Sequence, residues 1–158
     1  MLEINFKKIN NCNYTPVKAT SGAAGFDLQA NIKDPVVVNK LSRVKIPTGI
    51  IIEVPDGYEA QIRPRSGLAA NYGLTLTNCV GTIDSDYRGE IIVLIINLGE
   101  EDYTIMPDER IAQLVIQKLP VVNFIETTEL SLNTNRGSRG FGSTGKINNL
   151  HQEEMAGI

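Results

Sequence analysis

Cysteine is scarce: in 158 residues only Cys12 and Cys79 carry a thiol. Two cysteines build neither a disulfide framework nor a zinc site. Both are expected as small core or surface residues of a soluble protein in a reducing compartment, the cytoplasm. Long apolar runs are missing as well. The longest unbroken one, "IIVLII" at 91–96, falls far short of a membrane span. The opening "MLEINFKKIN" holds no apolar run of signal-peptide length. No membrane partner is expected. Positive charge is not in excess either, since 15 Lys and Arg face 18 Asp and Glu for a net −3. That balance argues against a nucleic-acid backbone as partner. What remains is an ordinary hydrophobic fraction of 42%, enough at this length for the core of one domain.

Strand signals dominate. The segments 26–30, 35–39, 43–54, 58–64, 74–81, 90–98, 110–119 and 121–126 are short, rich in β-branched residues and separated by turn residues such as Pro55-Asp56-Gly57. Many short strands at this spacing point to a sandwich, barrel or jelly roll. Alternation along "RIAQLVIQKL", with Ile111, Gln113, Val115 and Gln117 against Ala112, Leu114 and Ile116, favours a strand over a helix there. One short helix is expected over "GLAANY", with Ser66 as its N-cap and Gly73 as its stop. After Glu129 the composition turns to Gly, Ser, Thr and Asn with almost no core-forming residues. This divides the chain into a β core, 1–129, and a flexible Gly-rich arm, 130–158.

Five stretches could carry chemistry. "RPRSGLAA" at 63–70 places two arginines before a helix start, where free amides, a hydroxyl and Arg65 could hold a phosphate; a serine-capped basic loop explains it equally. "NRGSRGFGSTG" at 135–145 offers close-approach glycines and the hydroxyls of Ser143 and Thr144, yet lacks the lysine of a Walker A loop and also reads as a tail. In "AAGFDLQA" at 23–30, Asp27 sits in an apolar run, where a carboxylate needs a hydrogen bond, an arginine or a hydrated metal ion. Arg110 and Gln113, in "PDERIAQLV", would extend from opposite faces of a strand, as on a solvated edge. Finally "GTIDSDYRGE" at 81–90 gathers Asp84, Asp86 and Glu90 around a turn without a histidine or cysteine to complete a metal cage. A carboxylate there could take a proton from water, and Tyr87 offers a flat face to a ring or sugar; a solvated acidic hairpin tip is the alternative.

Taken together, "AAGFDL", "PRSGLA", "NCVGTIDSDYRGE", "DERIAQLV" and "RGSRGFGSTG" stand in the order and rough spacing of the five motifs of trimeric deoxyuridine triphosphatases (dUTPases), and the resemblance runs from about residue 15 to residue 145. It implies an all-β distorted jelly roll with a C-terminal arm exchanged in a homotrimer, and hydrolysis of dUTP to dUMP and pyrophosphate with Mg²⁺. That reaction limits uracil incorporation into DNA and supplies dUMP for thymidylate synthesis. By the same resemblance Asp27 holds the Mg²⁺ through water, and Arg65, Ser66, Gly67 and Gln113 contact phosphates. Asn78, Gly81, Thr82, Ile83 and Ile92 receive uracil, largely through backbone groups. Asp84 is the general base, and Tyr87 packs on the deoxyribose and excludes a 2′-hydroxyl, while Asp86 and Glu90 shape the turn and its rim. Arg136, Phe141, Gly142, Ser143 and Thr144 belong to the arm, with Phe141 stacking over the base.

Arg139 departs from this pattern, because the family usually has glycine there. An arginine could alter how the arm closes or add a charge near the phosphates. The related dCTP deaminases place a glutamate on the strand after the hairpin; Leu94 at that position argues against deamination. A non-enzymatic jelly-roll module is the rival of another class, one that could dispense with both Asp84 and the arm.

Overall fold

The computed structural model describes residues 2–131, 133–141 and 143. The chain divides into one compact unit ending at Val121 and a second beginning at Val122. The first unit is all-β apart from one short helix. Its strands are β1 (Asn5–Lys8), β2 (Phe26–Gln29), β3 (Val36–Val38), β4 (Arg43–Pro47), β5 (Ile50–Glu53) and β6 (Tyr58–Arg63), then β7 (Leu74–Leu76), β8 (Gly81–Ile83), β9 (Ile92–Asn97), β10 (Tyr103–Ile105) and β11 (Arg110–Lys118). The helix α1 (Ser66–Tyr72) lies between β6 and β7. All pairing is antiparallel: β2-β11-β6-β8 form one sheet, β4-β9-β7 a second, and β1-β5 and β10-β3 pair separately. This is the distorted jelly roll.

Alternating inward residues make the core. Leu28, Ala60, Val93, Ile105 and Ala112 have no exposed surface, and each buried Ile, Leu or Val contributes ~1.5–3 kcal/mol by leaving water. Cys12 is buried and Cys79 exposed, and both are free, as their composition-level reading requires. Among the described residues no helix is long and apolar enough to cross a membrane.

β11 is the strand expected from its alternation, and it lies inside its sheet between β2 and β6, not on a solvated edge. Its register with β2 shifts between Arg110 and Ala112, where Arg110 faces Gln29 but Ala112 faces Leu28. The extra residue is a β-bulge, which resets the alternation. Gln113 therefore pairs with Asp27 on one side and Arg63 on the other, and Arg110 joins that same face. The expectation that Arg110 and Gln113 leave opposite faces fails for this reason.

Other expectations are also revised. The run 43–54 is two strands, broken at Thr48 and Gly49. Gly49 has φ +68°, and a side chain there would come within 2.6 Å of Cys12 Cβ and Asn31 Nδ2. The run 74–81 ends as a strand at Leu76, turns through Cys79, which has φ 60°, and resumes as β8. The helix starts one residue earlier than the capping argument places it. Arg65 is the N-cap, with extended backbone and no side-chain cap bond, and Ser66 is helical with its hydroxyl left out of capping. Gly73 ends the helix in the left-handed region as expected. The short β1 and β10 have no counterpart among the expected segments.

The second unit begins with "VNFIE", the end of an expected strand. No strand forms at 121–126, and Val121, Val122, Phe124 and Ile125 are exposed. β-branched residues favour a pleat because they pack against a partner, and no described strand pairs with this segment. Further on, Thr134 Oγ1 accepts the Gly137 N–H at 2.8 Å and the Arg136 carbonyl accepts the Arg139 N–H at 3.3 Å. Gly142, Thr144 and residues 145–158 lie outside the described residues, and so does the expectation of a flexible tail there.

Candidate active site

The expected site residues of the first unit fall into two constellations. The first is a pocket of about 280 Å³ beside β8. Its floor is apolar, made by Ile62, Leu76 and Leu94; its walls carry Asn78, Gly81, Thr82, Ile83, Asp84, Tyr87 and Ile92. All of the expected uracil- and sugar-facing positions are therefore brought together. Leu94, singled out because an acid there would favour deamination, contributes hydrocarbon to that floor.

Sheet topology explains why this pocket can bind something flat and polar-edged. Among the described residues β8 pairs with β6 on one side only and is the last strand of its sheet. An edge strand presents a row of backbone N–H and C=O groups without ladder partners. An apolar floor beneath such a row suits a planar heterocycle that offers donors and acceptors along one edge. Asn78 crowds Gly81 closely: a methyl group at Gly81 would come within 3.0 Å of Asn78 Nδ2.

Asp84 follows β8 immediately and is exposed. Its backbone carbonyl accepts the Tyr87 N–H at 3.2 Å, which closes the turn. Its carboxylate lines the pocket and has no hydrogen bond or ion pair among the described residues. Arg88 is turned away from the pocket: Nη1 donates to the Ser85 carbonyl at 2.6 Å and the Tyr87 carbonyl at 2.8 Å, and Nη2 lies 3.6 Å from Glu53. The Tyr87 hydroxyl donates to the Glu90 carbonyl at 3.0 Å. Asp86 is exposed on the turn, whereas Glu90 is half-buried and reaches inward to accept the Gly49 N–H at 2.7 Å.

The second constellation sits on the polar face of the sheet formed by β2, β11 and β6. Asp27 meets Arg110 Nη1 at 3.1 Å and Arg65 Nε at 3.4 Å, with only 16% of its side chain exposed. Arg65 Nη1 also donates to the Arg110 carbonyl at 2.8 Å, and Gln113 Nε2 donates to the Pro64 carbonyl at 3.0 Å. Thus Asp27, Arg65 and Gln113 are assembled, and the carboxylate in its apolar run has arginines for partners. Ser66 and Gly67 are exposed at the start of α1. The first helical amide answered within the helix is that of Ala69, by the Arg65 carbonyl, which leaves the amides before it free for other acceptors. Arg110 was legible only as a solvated residue, because a bulge leaves no mark in a count of alternation.

The two constellations share no residue. The third set lies in the second unit. Phe141 is fully exposed with φ 50°, and Arg136 Nε donates to the Arg139 carbonyl at 2.9 Å. Arg139 turns back on its own loop, donating from Nε to the Arg136 carbonyl at 3.1 Å and from Nη2 to the Asn135 carbonyl. It does not occupy the positive-φ region that would make a glycine necessary. Ser143 is exposed, while Gly142 and Thr144 lie outside the described residues.

Sequence and structure comparisons converge on one family. Residues 13–145 match the family model described as dUTPase. The deoxyuridine 5′-triphosphate nucleotidohydrolase of Fusobacterium nucleatum is 50% identical over 131 residues, 83% of this chain and 89% of that protein. The enzyme of the same description from Caulobacter vibrioides is 54% identical over 132 residues, 82% of this chain and 84% of that protein. Among solved structures, the Staphylococcus bacteriophage 80alpha dUTPase with dUpNHpp superposes with a TM-score of 0.82 at 24% identity, over 92% of this chain and 99% of that one. A single-residue variant of the dUTPase from phage phi11 of S. aureus, described as coordinating a structural Mg(II) ion, gives a TM-score of 0.72 at 20% identity, over 81% of this chain and 98% of that one.

Proposed function

The chain belongs to the dUTPase family, and on that premise we infer that it hydrolyses dUTP to dUMP and pyrophosphate with Asp84 as its general base. The observation that carries the reading is the pocket itself: an apolar floor, the open edge of β8 and a carboxylate without a partner at the rim. Uracil lies on that floor and pairs with backbone groups of β8, with Asn78, Gly81, Thr82, Ile83 and Ile92 around it. Tyr87 packs on the deoxyribose and closes the space a 2′-hydroxyl would need. Asp84 takes a proton from a water as the water oxygen bonds to the α-phosphorus. The bond from that phosphorus to the bridging oxygen breaks, and pyrophosphate leaves. Positioning and charge neutralisation supply most of the acceleration in such transfers.

Arg65, Ser66, Gly67 and Gln113 hold the phosphates, and Arg136, Phe141, Gly142, Ser143 and Thr144 close over the nucleotide. Mg²⁺ is the cofactor this family membership suggests, and the residues fit it. No group of three or more metal-binding side chains occurs among the described residues, so the protein builds no cage there. A lone oriented carboxylate suits a hydrated ion whose other ligands come from the triphosphate. Asp27 would hold Mg²⁺ through water, and the ion when bound would neutralise phosphate charge.

The working form is a homotrimer in which each site draws on three chains: the Asp27–Arg65–Gln113 face from one, the pocket from a second, and the arm from 130–158 of a third. Two features support this: the two constellations of one chain share no residue, and the apolar run at 121–125 is exposed. Its place is the cytoplasm, in keeping with two free cysteines.

Pyrophosphate release from dUTP, UTP, dCTP and dTTP, with and without Mg²⁺, tests the reaction; turnover of UTP or dCTP equal to that of dUTP rejects it. Mixing Asp84→Asn with a chain truncated before Asn133 tests the assembly. Each alone is inactive. After random, equal subunit exchange roughly a quarter of the sites regain a base from one chain and an arm from another. No recovery despite exchange confirmed by mass rejects the three-chain site.

A further inference from the structure

Glu90 lines the pocket but has been given no part in the chemistry. Resting on the reading of Tyr87 as the wall against a 2′-hydroxyl, we propose that Glu90 is a positioning residue for sugar discrimination, which hangs the Tyr87 ring from the corner between β4 and β5. Tyr87 is 42% exposed, so packing alone does not orient its ring. Two local features do. The ring lies so close over Gly89 that any side chain there would run into the phenol. Its hydroxyl is tied to the Glu90 carbonyl at 3.0 Å. The placement of the ring is therefore only as good as the placement of the backbone at Glu90.

That backbone is clamped. The Glu90 carboxylate accepts the Gly49 N–H at 2.7 Å, a bond strengthened by the charge on its acceptor. One residue on, the Ile91 carbonyl accepts the hydroxyl of Thr48 at 2.7 Å, and the Ile91 N–H donates to the Ile50 carbonyl at 2.9 Å. Thr48 is fully buried. The exposed turn is thus fastened, through one carboxylate, one carbonyl and one amide, to a corner that belongs to the core. A solvated rim acid needs none of this, and Asp86, four residues earlier, has none of it among the described residues.

The test is kcat/KM for dUTP and for UTP in Glu90→Ala, Glu90→Gln, Tyr87→Phe and Tyr87→Ala, with 19F spectra of the 3-fluorotyrosine-labelled protein in which Tyr87→Phe identifies the Tyr87 line. Glu90→Ala should lower the dUTP-to-UTP ratio roughly ten-fold, as expected for loss of a hydrogen bond to a charged acceptor, and should move the Tyr87 line. Glu90→Gln, whose amide oxygen can accept the same N–H, should keep the ratio within about three-fold. In the Glu90→Ala background, Tyr87→Ala should add little, because the two act as one unit. An unchanged ratio in Glu90→Ala, while Tyr87→Ala collapses it, overturns the proposal. So does an equal loss for both substrates accompanied by a lower Tm, which marks a merely structural role. If Tyr87→Ala itself leaves the ratio unchanged, the sugar-wall reading falls. An unmoved Tyr87 line in Glu90→Ala then overturns the positioning role separately. Should Glu90→Ala not fold, Glu90→Asp, one methylene shorter, is judged by the same two readouts.

Discussion

Asp27 and Asp84 are the same side chain put to opposite uses. Asp27 is mostly buried and held between Arg65 and Arg110. Asp84 is exposed, directly after an edge strand, with its carboxylate unpaired among the described residues. A carboxylate fixed by two guanidiniums is oriented, but its oxygens are already engaged as acceptors. A free carboxylate beside a pocket is the reverse. The contrast teaches where to look for chemistry among several acids: at the one the fold leaves without a partner.

The sharpest way to test the contrast is to remove each charge in turn. Asp84→Asn should keep the fold and dUTP binding while kcat falls by roughly a hundred- to ten-thousand-fold, the usual worth of a general base. A Kd near that of the parent with kcat also near it removes Asp84 from the mechanism. Asp27→Asn should cost less, about ten- to a hundred-fold in kcat/KM, as expected for a residue that orients a site or its metal. The loss should shrink at high Mg²⁺ concentration, and a loss independent of Mg²⁺ assigns Asp27 to holding Arg65 and Arg110 alone.

Much of this contrast was open to a reader of the sequence, and the reasons for the rest are physical. Asp84 stood out because five spaced motifs coincide, and Asp27 because a carboxylate in an apolar run demands a partner. Which partner was not legible. Arg110 is brought to Asp27 by a bulge, and a bulge changes the face of a residue without changing its hydrophobicity. The break at Thr48 and Gly49 falls inside a segment rich enough in β-branched residues to read as one strand, and three-residue strands such as β10 are too short to show a period. The run at 121–126 has strand composition but no partner among the described strands, so composition and structure part there.

A smaller effect sharpens the comparison among cations. Arg139 spends its guanidinium on the carbonyls of its own loop, unlike Arg65, which meets a carboxylate. Arg139→Gly should therefore leave kcat/KM within about three-fold and leave the salt dependence of KM unchanged. A shallower salt response would place its charge on the phosphates.

The smallest effect concerns a neutral group. The Tyr14 hydroxyl is buried; it lies near the Gln29 backbone and the Thr48 hydroxyl, but neither approach has hydrogen-bond geometry. Burial, the largest cause, pushes its pKa up from 10.0 to about 12. The folded state thus holds this proton more tightly than the unfolded chain, so the contribution to stability is intact below pH 10 and lost as pH rises toward 12. Tyr14→Phe should change Tm little at pH 7 and flatten its fall between those two values. An equally steep fall in the variant assigns the alkaline transition to other groups.

The bulge at Arg110 also makes β11 a matter of parity. Side chains along a strand belong to odd or even sets, and the extra residue is what lets an even-numbered arginine and an odd-numbered glutamine share a face. Substitutions at Ile111 would act through volume alone. Deleting that one residue would iron out the bulge and leave Arg110 opposite Gln29, still on the face of Gln113, so the cost would be the buried Ile111 itself and the local twist that the bulge brings.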